Sequence, residues 1–341
     1  MRVSAGLPTG MEGLTYPIPF SDPERVAEIA LAAERLGYDS VWGNDHMTTQ
    51  HYVREEFPVP PRFWEPLVTY AYLAGITKTL RFGTGILVLP MRRDIVAVAK
   101  QICTLDHFSG GRLEIGVGIG AYREEFDAVQ PDSPLQRGDI VTEGVRAMKK
   151  LFTERVSSFE GDFYRYRDVE FFPKPKQAHI PILIGGNNHN NIRRAVDHAD
   201  GWLPAGVHLT QIKTGVALMK QLADNAGRDW RTLEVAPQFI VRIDKSRAKA
   251  VDAFQKSQMY KHLVSLKKST LKGQGDIKME DSNLVGTPAE VVEKALAYRD
   301  AGVTHLLGLY FAASSVPDLI DQMTMFAEEV IPHVTGTKAG R

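Results

Sequence analysis

Short apolar runs alternate with amphipathic stretches along the whole chain. RVSAGL (residues 2–7) reads as a strand. The stretch SDPERVAEIALAAERLG then places Val26, Ile29, Ala30, Ala33 and Leu36 at helical spacing. Ser21 with Glu24 forms a capping box there, Pro23 sits in the first turn and Gly37 supplies the stop. SVWGN (40–44) is a second strand, and a second helix starts at Pro66. A third strand over 80–90 leads to a helix over about 94–106, and a fourth strand over 111–120 to a long helix over 137–153. After an irregular stretch the pattern resumes with a strand over 180–186, the helix NNIRRAVDHA, the strand GWLPAG and a helix near 208–226. A strand over 233–243, a helix opening on the capping box Thr287 to Glu290, a strand over 304–311 and a last helix close the series.

Eight strands, each followed by helical sequence, predict an α/β fold of the (β/α)8 TIM-barrel kind. Several strands are apolar throughout, as suits parallel strands buried on both faces, and a doubly wound sheet rarely needs eight such units. The domain expected is one barrel over 1–335, with a disordered tail over 336–341. Two insertions interrupt it, near 155–179 and near 245–283, and long excursions in a barrel are often lids. Phe57, Phe63, Trp64, Phe163, Tyr164 and Tyr166 crowd the expected lid segments, where packing of the loops themselves is the plainer reading.

Composition narrows the function classes. The 341 residues carry 41 Lys plus Arg and 41 Asp plus Glu, so no basic field exists to hold nucleic acid or an anionic membrane. No apolar run reaches the ~18 residues of a membrane span. The single cysteine, Cys103, excludes an internal disulfide and fits a reducing compartment, so a cytoplasmic protein is expected. In its helical context Cys103 reads as a core thiol. The ten histidines show no zinc-ligand spacing, and no metal site is expected.

Barrel chemistry sits at the C-terminal ends of the strands. Strand two ends in Asn44, Asp45 and His46; strand three runs through Gly85 and Ile86. Strand four ends in Gly116, Gly118 and Gly120, followed by Tyr122; strand five ends in Gly185, Gly186, Asn187 and Asn188. So many glycines suggest a backbone that approaches something flat or bulky. GGNNHNNIRRA also opens a helix, whose exposed N–H groups and dipole favour a phosphate. The alternating glycines of GVGIG lack the spacing of a dinucleotide fingerprint. The imidazole of His46 can move a proton, or it can be a turn histidine bonded to backbone. Asp45 can orient it, or cap the local turn.

AERLGYDSVWGNDHM, LRFGTGILVLPMRRDIVAVAKQICTLDHFSGGRLEIGVGIG, GAYREEFDAV, PILIGGNNHNNIRRAVDHADGW and VGTPAEVVEKALAYRDAGVTHL together carry a resemblance. The chain resembles the luciferase-like flavin-dependent oxidoreductases over nearly its whole length. The resemblance implies FMN or the deazaflavin coenzyme F420 in the barrel mouth. The phosphate would lie over Gly185, Gly186, Asn187 and Asn188, and the ring system against Gly85, Ile86, Gly118, Gly120 and Tyr122. It also implies a cis peptide at Gly85–Ile86, and protons managed by His46 with Asn44 and Asp45 fixing it. Asn188 stands where the family commonly has serine. Deazaflavin sugar-phosphate dehydrogenases have a glutamate where this chain has Ala121 and a tryptophan where it has Gln50, so that activity is not expected. The reading favoured from sequence is a monooxygenase that uses O2 and reduced FMN, supplied by a separate flavin reductase, on a small or medium organic substrate. F420-dependent hydride transfer is the alternative, and a flavin-binding protein without turnover a second one. A homodimer or higher homo-oligomer is the expected assembly.

Overall fold

The computed structural model describes residues 1–132, 136–266 and 277–335. The tail expected over 336–341 and part of the second insertion lie outside the described residues. The strands are β1 (Arg2–Leu7), β2 (Ser40–Gly43), β3 (Arg81–Val88), β4 (Leu113–Gly118), β5 (Val156–Glu160), β6 (Arg165–Glu170), β7 (Ile182–Gly185), β8 (Gly201–Leu203), β9 (Glu234–Val235), β10 (Gln238–Ile243), β11 (Leu284–Gly286) and β12 (His305–Phe311). All but β5 and β6 form one parallel sheet in the order β11-β10-β12-β1-β2-β3-β4-β7-β8-β9. Pro204 O accepts from Gln238 N–H (2.8 Å) and Gln238 O from Gly206 N–H (3.1 Å), which ties the end of β8 to β10 and closes the sheet into a TIM barrel. The strand expected over 233–243 is broken at Ala236–Pro237, because proline offers no N–H to a ladder.

Helices follow the strands as the periodicity indicates, and Thr287 and Glu290 cap each other reciprocally as expected. The first helix differs. Its cap is Asp22, whose carboxylate accepts from Arg25 N–H (2.9 Å), because Pro23 already occupies the first turn. Ser21 instead lies buried, its N–H donating to Glu12 at 3.0 Å.

The barrel interior is layered. At the N-terminal end, Arg2 meets Asp39 (2.5 Å), Glu114 (2.5 Å) and Glu234 (3.0 Å), and Arg81 also reaches Glu114 (2.6 Å). Glu114, Glu234 and His305 bring ligand atoms within 4.8 Å of one another, but both carboxylates already face guanidinium groups. Above this lies an apolar layer of Trp42, Leu183, Leu203, Ala236 and Leu307, with Ile86 against it. Gly83 is required there: a Cβ on it would stand 2.3 Å from the Trp42 ring. The larger core fills the space between the sheet and the helices. Among the described residues no helix is long and apolar enough to cross a membrane.

The two insertions go to different places. Residues of the first form the hairpin β5–β6, which packs along the outside of the helix Arg137–Thr153 and not over the mouth. Glu143 of that helix accepts from the N–H groups of Asp162, Phe163 and Tyr164 (2.9, 2.8 and 2.5 Å), and Tyr166 donates to Ala147 O (3.0 Å). Its aromatic residues therefore pack the outer wall. The second insertion contributes the helices Arg247–Lys256 and Gln258–Leu266. The latter reaches the mouth, where Gln258 donates to Gly13 O (3.0 Å) and Lys261 pairs with Glu56 (2.7 Å).

Candidate active site

The mouth holds a cavity of about 550 Å³. Asn44, Asp45, His46, Gly85, Ile86, Gly120, Gly185, Gly186, Asn187 and Asn188 line it, as expected from sequence. Gly118 and Tyr122 do not. A Cβ on Gly118 would meet Ile86 Cδ1 at 2.4 Å, so this glycine lies behind Ile86. Tyr122 packs instead beside His46 and Tyr52.

The three residues after β2 point to three different partners. The Asn44 side-chain oxygen accepts from the Tyr310 hydroxyl, and the Asn44 backbone carbonyl accepts from Thr9 (2.8 Å). Asp45 is buried, and its carboxylate accepts from Val88 N–H (2.9 Å) and from Arg92 at 3.1 and 2.9 Å. It therefore pins the end of β3. The support expected for His46 from Asn44 and Asp45 comes from elsewhere, because both have partners of their own.

That support is Glu125, four positions past Ala121 on the short helix Arg123–Val129. One carboxylate oxygen lies 3.1 Å from His46 Nδ1; the other accepts from Met47 N–H at 2.5 Å. Glu125 is only 2% exposed. A carboxylate can only accept, so Nδ1 carries the imidazole proton and Nε2 is left as the acceptor. Gln50 lies beside the same ring, its Nε2 3.3 Å from Nδ1, and Phe63 packs on it with ring centres 5.6 Å apart. A Cβ on Gly10 would come within 3.1 Å of the imidazole, so that glycine leaves the ring its place.

The opposite wall is cationic and spacious. The cis peptide expected at Gly85–Ile86 is present, and Gln238 donates to Gly85 O (3.4 Å). Gly186 has φ +124°, and a Cβ there would stand 2.2 Å from Asn191 Nδ2. Asn188 caps the helix His189–His198, its side chain accepting from Asn191 N–H (3.0 Å). Asn187 bonds both backbone groups of Ala205 (3.0 and 2.9 Å), which fixes the loop. Arg137 also lines the cavity, held by Ile119 O (3.2 Å) and by the Phe126 ring. Among the described residues no carboxylate pairs with it, and burial first, then Arg123, push its pKa down. Arg194 is fixed nearby by Thr142 (2.7 Å) and Asn191 (2.7 Å). An unpaired guanidinium beside two glycines and a helix start suits a phosphate. These residues fit a phosphate-bearing flavin or deazaflavin.

A family model described as luciferase-like monooxygenase matches residues 1–305. The chain belongs to this family. It is 25% identical over 327 residues to a protein named F420-dependent glucose-6-phosphate dehydrogenase from Kineococcus radiotolerans, covering 91% of this chain and 93% of that one. An uncharacterised protein of Mycobacterium tuberculosis is 33% identical over 172 residues, 49% of this chain, and the match spans 59% of that protein's length. Among solved structures, an F420-dependent secondary alcohol dehydrogenase superposes with a TM-score of 0.79 at 21% identity, covering 98% of both chains. This last likeness shows the fold.

Glu125, Gln238, Arg137, Asn191 and Tyr310 escape a reading by strand ends. Arg137 and Asn191 lie on helices, while Gln238 and Tyr310 lie within strands. Glu125 had the clearest signal, an acid one turn beyond the glycines of β4.

Proposed function

We propose that the chain is an F420-dependent oxidoreductase that moves a hydride between the coenzyme and the carbinol or carbonyl carbon of a small organic substrate. The observation that carries this reading is the buried carboxylate of Glu125 on Nδ1 of His46. It leaves Nε2 basic and stabilises the imidazolium that forms when Nε2 takes a proton. When bound, the coenzyme supplies a carbon that accepts or returns a hydride. In the oxidising direction His46 Nε2 would take the hydroxyl proton of an alcohol, and a bound coenzyme would accept the hydride that leaves the carbinol carbon. His46 then yields its proton to water, with Glu125 restoring the starting tautomer. Gly185, Gly186, Arg137 and the start of the helix at His189 would hold the phosphate.

The relative from Kineococcus, matched over nearly the whole chain, supports the coenzyme by its name. Its sugar-phosphate substrate is not carried over, since Ala121 and Gln50 stand where such enzymes have glutamate and tryptophan. Ala121 also favours the second reading, reduced FMN with O2 and a separate reductase. Glu125 weakens that argument, because it brings a carboxylate into the same cavity one turn later. A homodimer or larger homo-oligomer is the assembly we expect for either reading.

The test is an anaerobic assay with oxidised F420 and a panel of primary and secondary alcohols, read by loss of the coenzyme's visible absorbance. Bleaching by at least one alcohol, unaffected by oxygen, is the expected result. Oxygen-dependent product formation with reduced FMN, and none with F420, overturns the reading.

A further inference from the structure

Three aromatic side chains from three separate segments converge beside His46. His262 stands on the helix Gln258–Leu266, Tyr52 on the helix His51–Glu56, and Tyr122 in the turn after β4. His262 Nδ1 lies 3.2 Å from the Tyr52 hydroxyl and 3.2 Å from the Tyr122 hydroxyl. Tyr122 in turn packs on His46, with ring centres 6.1 Å apart, and on Tyr52 at 6.4 Å. We propose that His262 is a positioning residue for His46: its Nδ1 holds Tyr122 and Tyr52, and Tyr122 holds the imidazole, so that seating this helix and orienting His46 are one event.

The chemistry of the cluster supports this. The Tyr52 and Tyr122 hydroxyls, which also bond each other, both reach His262 Nδ1, so the ring is fixed between them. The carboxylates nearby are already engaged: Glu56 with Lys261 (2.7 Å), Glu124 with His51 (2.9 Å) and Glu125 with His46 (3.1 Å). Among the described residues none is left to stabilise an imidazolium at His262. Burial first, and His46 second, push its pKa down to about 3. The helix is also anchored where Gln258 donates to Gly13 O (3.0 Å), so Gln258 and His262 seat it together. This role goes beyond the coenzyme assignment and holds for either coenzyme.

Two measurements test it. In the coenzyme-free protein, histidine ring NMR signals are followed from pH 8 to 5, with His262 assigned by its absence in H262Q. We expect no titration of His262 between pH 8 and 5 in the native chain, where burial holds its pKa low, and a shifted His46 ring signal when Tyr52→Phe and Tyr122→Phe remove both hydroxyls. A native His262 that titrates near 6.5 overturns the proposal, and this readout needs no substrate, so it fails separately from the coenzyme assignment. The second measurement is turnover: H262F should lower kcat by roughly 10- to 100-fold through misplacement of His46, with coenzyme Kd within about twofold, and H262Q should recover most of the loss. Unchanged kcat in H262F, or coenzyme binding that falls as much as turnover, overturns it.

Discussion

His46 meets side chains that lie far apart in the sequence: Glu125 on Nδ1, Gln50 beside it, and the rings of Phe63 and Tyr122 on its faces. An imidazole held this way has one nitrogen committed and one available. Replacing His46 with Gln should lower turnover ~10²–10⁴-fold while coenzyme affinity changes little. Steady-state kinetics beside a binding titration separate the two effects, and equal losses in both would make His46 a coenzyme ligand. Glu125→Gln keeps an acceptor for Nδ1–H but removes the charge behind the imidazolium, so turnover should fall by roughly 10- to 100-fold, less than for His46→Gln. On the opposite wall, Gly186→Ala forces a Cβ to within 2.2 Å of Asn191 at a φ that side chains rarely adopt. Coenzyme Kd should rise at least about tenfold, together with a loss of stability of roughly 1 kcal/mol or more from the strained backbone. At this scale the sequence was half legible. The run Asn44-Asp45-His46 pointed to the right strand end, but not to its partners: Glu125 lies 79 positions away, and Asp45 turns to Arg92, 47 positions away. Contacts of that span come from the barrel's closure, which no local pattern encodes.

Strands and helices were legible because their periodicity is local. Parallel strands buried on both faces read as unbroken apolar runs; the strand expected over 233–243 is cut by Pro237, which has no N–H to give, and the three-residue strand Leu284–Gly286 is too short to stand out as a run. The insertions were not legible. The first is shorter and rich in aromatics and the second longer and rich in lysine, but what places them is where their polar anchors sit. Glu143 collects three backbone N–H groups and holds the first hairpin on the outer wall, whereas Gln258 and His262 bring the second insertion to the mouth. The helix Gln258–Leu266 should respond to acid. Seated, His262 is held near pKa 3; unseated and hydrated, it returns to about 6.5. The seated form binds the proton more weakly, so seating is fully favourable above about pH 6.5 and is progressively lost as pH falls below it, toward 3. Hydrogen exchange over 258–266 should therefore show protection that declines between pH 7 and 5, beyond the change in intrinsic exchange rate. Constant protection across that range would contradict this.

The whole molecule divides its labour along the barrel axis. The N-terminal end is closed by Arg2, Arg81, Glu114, Glu234 and His305, the middle by Trp42 and its apolar neighbours, and the C-terminal end carries the cavity. Glu114→Ala leaves two guanidinium groups facing a gap in a buried network, so it should destabilise the fold by about 3–5 kcal/mol in chemical denaturation. Coenzyme affinity should stay the same, since the network lies at the opposite end of the barrel from the phosphate loop. The central claim is that the mouth is built for F420. It is tested most directly by an anaerobic titration of the native chain with F420 and with FMN, oxidised and reduced, followed by quenching of tryptophan fluorescence. The result expected is micromolar binding of F420, weakened in the Gly186→Ala chain, with FMN binding more weakly in either redox state. Tight binding of reduced FMN with no detectable binding of F420 would contradict the account and return the site to oxygen chemistry.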